Sequence, residues 1–562
     1  MIRRHPKGMP AHLSYPEASV GDLLAGSARR YPDRVALRDG DHTLTFAELH
    51  EQALRFARGL RERGITEGDV VALHQPNSLW FPVTYYGILL AGAVVAPVNP
   101  TLPAAALRAQ LDEAGARAVV THPATAATLR EAGTDGLEPV VLVPPSDAAP
   151  GDPAPVDGTV PLAALLAGVP EPGPRVSPDA VAHLSFTGGT TGRSKAVEVR
   201  HRHVVANCLQ FTCWRAAALP AVDLDGGVFL DPVDGAATEY ITPPGEGVSI
   251  AVAPFFHAMG LVGQSIGVLS GTTVVLCGRF EPGRFLDQAE KFAATAIAGS
   301  PALFHALLAA PSAQGRALPT VRVVNSGAAP IDTTTLRALR TLFPRACVVE
   351  GYGLTEATMG VTSGITDPDD LVPIGSVGLP VFDTDVEIRD LVDTGRCVPD
   401  GETGELWARG PQITAGYPGH PELTAEQFVD GWLRTGDLAR CDERGHVYIV
   451  GRAKDMLIYK GYNVYPGQLE EILSGHPAVA QVSVVGVPSA EAGEIPVAYV
   501  VARADASPGA GPALGEELMA HVSARVAPYQ RVREVRFLDA LPTSAAGKIL
   551  KAELRRTYRP SA

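Results

Sequence analysis

From Thr45 to Thr121 the apolar residues switch repeatedly between a helical and an extended period, which limits the possible folds more than any other stretch of the chain. Thr45-Phe-Ala-Glu48 has the spacing of a helix capping box, and Leu49, Ala53, Leu54, Phe56, Ala57 and Leu60 then recur on one face until Gly64. Short apolar runs at Val70–Leu73, Val94–Val98 and Ala118–Thr121 read as strands, with helices predicted near Leu79–Ala91 and Ala104–Ala114 between them. Strands joined by helices lie parallel, so the pattern predicts an α/β architecture.

At 562 residues the chain exceeds what one hydrophobic core organises, and two or more domains are expected. A self-contained pattern follows Gly451: helix Gly467–Leu473, strands Val479–Val487 and Ile495–Ala502, helix Leu514–Ala527 and strand Val532–Leu538, with an exposed loop at Asp505–Ala513. Val143–Ser177, rich in Pro, Gly, Ala and Asp around the apolar patch Val160–Leu166, reads as a surface connection or a subdomain seam. In the irregular stretch Arg215–Gly247, turn signals flank Val228–Leu230 and Glu239–Ile241, which are candidates to pair as a hairpin.

Sixty-one acidic against 47 basic residues, a formal charge of −14, disfavour a nucleic-acid or anionic-membrane surface. Any anionic ligand must be met by local cations. The basic start Met1–Lys7 is followed by a polar stretch and no apolar signal core, so a cytoplasmic location is expected. The run Gly87–Val98, broken by Gly and Pro, is too short to span a bilayer and reads as a helix end followed by a buried strand. Six scattered cysteines lack metal or Cys-x-x-Cys spacing and are expected as buried or incidental thiols.

Chemistry concentrates in four segments. Thr187-Gly-Gly-Thr-Thr-Gly-Arg-Ser-Lys195 follows a predicted strand and gathers backbone N–H groups that glycine leaves accessible, three threonine hydroxyls and a cation, all suited to phosphate. It is not a Walker A loop, and its ordinary alternative is a flexible Gly/Thr turn. Tyr352-Gly-Leu-Thr-Glu356, Arg434-Thr-Gly-Asp437 and the near-terminal Pro542–Lys551, which contains Lys548, complete the set.

Together these segments resemble the acyl-adenylate-forming superfamily, which includes acyl- and aryl-CoA synthetases, the adenylation domains of peptide synthetases and the luciferases. Pro254-Phe-Phe-His257, Asn325–Pro330, Glu350–Glu356 and Gly451–Pro466 match further motifs in the family's order. Ser194 and Ala196 depart from the family's proline and glycine, and Ile458 stands where many aryl-CoA ligases have lysine. The resemblance implies a large N-terminal multi-sheet α/β domain, residues 1–452, and a small mobile C-terminal α+β domain, residues 453–562, hinged near Lys454.

The resemblance also implies roles. Thr187, Gly188, Gly189, Thr190, Thr191 and Lys195 would hold the phosphates of ATP; Gly327, Ala328, Ala329, Glu350, Gly351, Tyr352 and Thr355 the adenine side; Asp437 the ribose; and Arg452 the phosphates. Glu356, with Thr190, is the expected Mg²⁺ ligand set. His257, Ala258, Met259, Gly260, Gly327, Gly351, Gly353, Met359 and Gly360 would line the acyl pocket. Lys548, His257 and Glu356 are the expected catalytic residues. Lys460, Gly461 and Tyr462 would meet coenzyme A, Gly461 passing the pantetheine arm or serving simply as a turn.

The implied reaction is attack of a carboxylate on the α-phosphorus of ATP, followed by thiol attack on the mixed anhydride, with Lys195, Arg452, Lys548 and Mg²⁺ neutralising charge. No protein nucleophile is required. His257 stands where amino-acid-activating members carry aspartate, which favours non-amino acids. The expected partners are therefore a hydrophobic carboxylic acid and CoA. A carrier-protein acceptor, a nucleotide-binding pseudoenzyme and a luciferase-like oxygenase are the alternatives.

Overall fold

A computed structural model describes residues 5–145, 158–187, 195–327, 331–365, 373–489, 491–503, 512–544 and 549–559, the side chain of Thr333 excepted. The alternating pattern folds as its period requires. Thr45 Oγ1 accepts from Glu48 N at 3.1 Å while Glu48 returns a bond to Thr45 N at 2.8 Å, starting the helix Phe46–Arg61. Strands Val70–His74, Val94–Pro97 and Ala116–Thr121 run parallel, with helices Trp80–Leu90 and Ala104–Ala114 between them.

Among the described residues the strands make four larger sheets. A seven-stranded sheet runs in the order Val160–Pro161, Val140–Leu142, Ala116–Thr121, Val70–His74, Val94–Pro97, Val181–Phe186, Ala196–Arg200. A nine-stranded sheet has at its centre the parallel strands Val248–Ala251, Ala296–Gly299, Val323–Ser326 and Cys347–Tyr352. The two pack over one core holding Phe46, Phe56, Phe81, Tyr85 and Trp214. A third, antiparallel sheet joins Asp385–Arg389, Gly404–Arg409, Trp432–Cys441, Phe428–Val429 and Val447–Arg452. The fold is thus a large N-terminal α/β domain and a small C-terminal domain. In the latter, strands Val479–Ser489 and Gly493–Ala502 pair antiparallel beneath helices Pro466–Ser474 and Pro512–Ser523, with Glu534–Phe537 parallel to Gly493–Ala502.

One expectation is corrected. Val228–Pro232 does form a hairpin strand, but its partner is Ala218–Val222, and Glu239–Ile241 lies in no strand. The hairpin docks on the first helix, Val20–Arg30, where a Cβ on Gly26 would overlap the backbone of Val228 and Arg29 pairs with Asp223 at 2.7 Å. Of the two readings of Val143–Ser177, the Val160–Leu166 patch fits the seam: Leu162, Leu165 and Leu166 are buried, and a Cβ on Gly59 would overlap Leu165. Five of the six cysteines are buried, Cys397 is exposed and none is disulfide-bonded. No helix among the described residues is long and apolar enough to cross a membrane.

Candidate active site

The strands Val181–Phe186 and Ala196–Arg200 pair antiparallel with Phe186 opposite Ala196, and Thr187 N donates to Lys195 O at 3.0 Å. The Gly/Thr-rich segment is therefore rooted as a hairpin loop by Thr187 and Lys195. Gly188, Gly189, Thr190 and Thr191 lie outside the described residues, as do Ala328, Ala329 and Lys548. The exit strand is bonded sideways: Glu198 N donates to Gly416 O at 2.9 Å and Ala415 N to Glu198 O at 3.2 Å.

That same segment reaches Glu356, buried in the turn Thr355–Ala357. Tyr417 Oη donates to Glu356 Oε1 at 2.7 Å, and Thr414 Oγ1 donates to Glu356 O at 2.9 Å. Burial, then the carboxylate itself, holds the Tyr417 phenol well above its ordinary value, so it remains a donor. Glu356 thus stands beside the strand leaving the phosphate loop. Among the described residues no three His, Cys, Asp or Glu side chains converge as a self-contained metal centre. A nucleotide-bound Mg²⁺ needs only one or two carboxylates besides phosphate oxygens, and Glu356 suits that use.

Backbone strain follows the carboxylate. Thr358 has φ +64°, and Met359 N donates to Ala357 O at 2.6 Å, a γ-turn of the rare hand that costs about 1–3 kcal/mol. A buried network offsets it. Thr358 Oγ1 donates to Gln412 O at 2.7 Å, Gln412 bonds Gln210 at 3.0 Å and Thr384 at 2.9 Å, and Asn207 bonds both Gly360 N and Gly360 O at 3.0 Å.

On the nucleoside side, Asp437 and Arg452 face one another across paired strands, and Tyr352 ends the strand Cys347–Tyr352. Tyr352 Oη donates to Asp437 Oδ2 at 2.6 Å, and Arg452 Nε lies 3.2 Å from Asp437 Oδ1. Among the described residues each carboxylate oxygen thus has one side-chain partner and keeps further acceptor capacity. Burial, then Asp437, keeps the Tyr352 phenol protonated. Glu350 lies opposite Ser326 on the neighbouring strand; Glu350 Oε1 and Ser326 Oγ are both buried without a hydrogen-bond partner among the described residues. Burial pushes the Glu350 carboxyl up to about 8, with Glu471 and Asp332 adding to it. Such unsatisfied atoms fit a purine edge, which offers both donors and acceptors.

On the acid side, Asn77 brackets the turn before the helix Ala258–Leu269, donating to Ala253 O at 2.9 Å and accepting from Phe255 N at 2.8 Å. His257 caps that helix through Nδ1, which accepts from Met259 N at 3.4 Å and so assigns the ring proton to Nε2. Beyond Gly260 the helix is buried except at Gly263 and Ile266, which with Met259 form a stripe at i, i+4 and i+7. A Cβ on Gly263 would meet nothing within 4 Å, and one on Gly327 would stand 3.4 Å from Met259 Sδ. Met259 therefore stands against Gly327, and Gly263 leaves open space one turn further along the same stripe.

Other pocket candidates have packing reasons for their composition. A Cβ on Gly353 would overlap the Met359 carbonyl, one on Gly360 the Phe211 ring, and one on Gly260 the Pro254 carbonyl. Gly263→Val is accordingly expected to leave the melting temperature within about 2 °C while raising KM for bulky acids, whereas Gly360→Ala overpacks the core and costs about 1–3 kcal/mol, read as a fall in Tm.

Lys460, at φ +49°, and Gly461, at φ +86°, are the central pair of a two-residue turn between strands Leu457–Tyr459 and Tyr462–Val464. Positive φ at both positions defines a type I′ turn, which accounts for the glycine. Tyr462 stacks on Tyr529 with ring centroids 4.7 Å apart. Lys454 is exposed between two anchored residues: Arg452 on Asp437, and Asp455, which accepts from Arg555 at 2.7 Å. Sequence reasoning missed Asn77, Gly263, Thr414 and Tyr417. Only Gly263 carried a local signal, one helical turn after Met259.

The paired strands that end at Thr187 and Lys195, the buried carboxylate of Glu356 and the Tyr352–Asp437–Arg452 chain are thus brought together around the turn that follows Tyr352. The chain belongs to the family described as AMP-binding enzyme, whose pattern matches residues 24–418, and the pattern of the AMP-binding enzyme C-terminal domain matches residues 468–548. It is similar to a feruloyl-CoA synthase from Amycolatopsis sp, 34% identical over 96% of this chain and 99% of the relative. A long-chain-fatty-acid–CoA ligase from Yersinia pestis is 33% identical over 99% of this chain and 97% of its own. Among solved structures, ATP-bound MatB from Rhodopseudomonas palustris superposes with a TM-score of 0.81 at 28% identity, covering 96% of this chain and 99% of that one. The CoA ligases of this family use ATP, Mg²⁺ and CoA.

Proposed function

We propose that the protein is an AMP-forming acid–CoA ligase for a hydrophobic non-amino acid, fatty or aryl. The observation that carries this reading is the placement of His257 at the start of a helix whose Met259 lies against Gly327, the residue that follows the strand paired with Cys347–Tyr352. Relatives acting on ferulate and on long-chain fatty acids by name support the acid class. Nothing supports a carrier-protein acceptor.

Asp437 accepts the ribose hydroxyls and Arg452 supplies positive charge beside it. Lys195, at the root of the phosphate loop, and Lys548 meet the phosphates. Mg²⁺, when bound, neutralises phosphate charge, and Glu356 with Thr190 would hold it. The Nε2–H of His257 orients the acid, whose carboxylate oxygen bonds to the α-phosphorus as the bond to pyrophosphate breaks. The CoA thiol, losing its proton, then attacks the acyl carbon and AMP departs. His257 offers no carboxylate for a substrate ammonium, which disfavours amino acids.

We further place the domain boundary at residues 452–453, with Lys454 as hinge and Lys460, Gly461 and Tyr462 moving toward the site for the second step. The anchors on either side of Lys454 support this, since few contacts need break between them. Pyrophosphate release and thioester formation, measured with fatty, aryl and amino acids with and without CoA, test the reading. CoA-dependent turnover of at least one hydrophobic acid is expected; adenylation with no thioester on CoA would refute it.

A further inference from the structure

The helix His201–Ala216 carries in its last turn an arginine that the reaction above does not use. Arg215 Nη2 donates to Asn325 Oδ1 at 2.9 Å and to Ser363 Oγ at 2.8 Å, both neutral groups. Its Nε is buried without a hydrogen-bond partner among the described residues, and none of the described ion pairs includes it. The Phe211 ring lies 5.5 Å from its Cζ. Burial pulls the guanidinium down to about 10, with the Cys347 thiol the one titratable neighbour opposing that shift, so it is still cationic at neutral pH. A buried charge with no counter-charge among the described residues is expensive, and an anionic oxygen of a ligand would relieve that cost.

Its position says which ligand. Asn325 Oδ1, bonded to Arg215, stands 3.7 Å from the place a Cβ on Gly351 would take, and Asn325 is two residues before Gly327. Arg215 also keeps part of its surface accessible, so it lines a space and is not sealed in the core. Its partners step down the sheet from the nucleotide end: Ser363 lies opposite Gly351, Asn325 opposite Val349, and Cys347 begins that strand. At ~3.3 Å per residue, Ser363 and Asn325 lie about 3 and 10 Å below Tyr352, and the guanidinium bridges the two levels. The reacting carboxylate must stay at the nucleotide end.

Resting on the reading of the His257 side as the acid's, we infer that Arg215 pairs with a second oxygen of the substrate acid, remote from the reacting carboxyl. The acceptor is either a second carboxylate on an aliphatic acid or a phenolic oxygen on an aryl acid. The acid pocket is then apolar along its length with one cation at depth. It selects for the oxygen because a plain acid leaves the guanidinium unpaired.

Initial rates of pyrophosphate release by the full-length protein with ATP and Mg²⁺ test this in two matched pairs: octanoate against octanedioate, and cinnamate against 4-hydroxycinnamate. The first pair reports a second carboxylate, the second an aryl oxygen. In at least one pair kcat/KM is expected to favour the oxygen-bearing acid on the order of tenfold to a hundredfold. Arg215→Met should bring that ratio to near one, and Arg215→Lys should recover part of it. No preference in either wild-type pair overturns the inference, as does an Arg215→Met loss that is equal for both members. Should the Met variant fail to fold, the wild-type ratios and the Lys variant decide. Release from no acid at all overturns the ligase reading and this inference together, whereas release without preference overturns the inference alone.

Discussion

Lys548→Ala is expected to slow adenylate formation by roughly 10²–10³-fold, the usual loss when a charge-stabilising group at a reacting centre is removed. Thioester formation from supplied acyl-AMP and CoA should change by less than about threefold, because that step needs no cation at the departed pyrophosphate. Pyrophosphate release and CoA consumption, measured separately, give the two numbers; equal damage to both steps would sink the assignment. Lys548 itself lies outside the described residues, but its flanks are firmly held. Thr543 and Ile549 form a bridge, Leu550 N donates to Pro542 O at 2.8 Å, and Leu541 and Leu554 are buried against Val485 and Val497.

Asp437→Asn should raise KM for ATP by roughly 10–100-fold, the range for losing charge-assisted bonds to two hydroxyls. It should also lower stability by about 1–3 kcal/mol, since the neutral amide loses the ion pair with Arg452 and keeps only one oxygen to serve Tyr352 Oη. Substrate kinetics and thermal unfolding together check this. A fall in Tm with an unchanged KM for ATP would reduce Asp437 to a structural residue.

Sequence and structure agree most where the determining interactions are local. The Thr45 capping box spans three residues and the strands from Val70 to Thr121 follow from period alone, so both were legible. The C-terminal pattern was legible for the same reason. The hairpin strand at Val228 was legible but its partner was not: Glu239–Ile241 is flanked by turn signals, whereas the true partner Ala218–Val222 carries Pro220, a residue uncommon inside strands. Site residues that work through distant partners left no trace. Tyr417 meets Glu356 across 61 positions, Arg215 meets Asn325 across 110 and Asn77 meets Ala253 across 176. Each looks like an ordinary polar residue until the fold supplies its neighbour. The glycines misled in the other direction: Gly353 and Gly360 suggested room for a ligand, yet their missing side chains admit the chain itself.

The buried amides behind Glu356 bear on how this chain can change over generations. Gln210 sits in a helix of the core, Gly360 in the catalytic turn, and Thr384 and Gln412 flank the antiparallel sheet, and each shares bonds with at least one other. Replacing any one strands a polar atom in the others' keeping, so a second change within the set is expected to alter the cost of the first. Gly263 and Arg215 share no bond with that set, so substitutions at them are expected to be tolerated independently of it, one at a time.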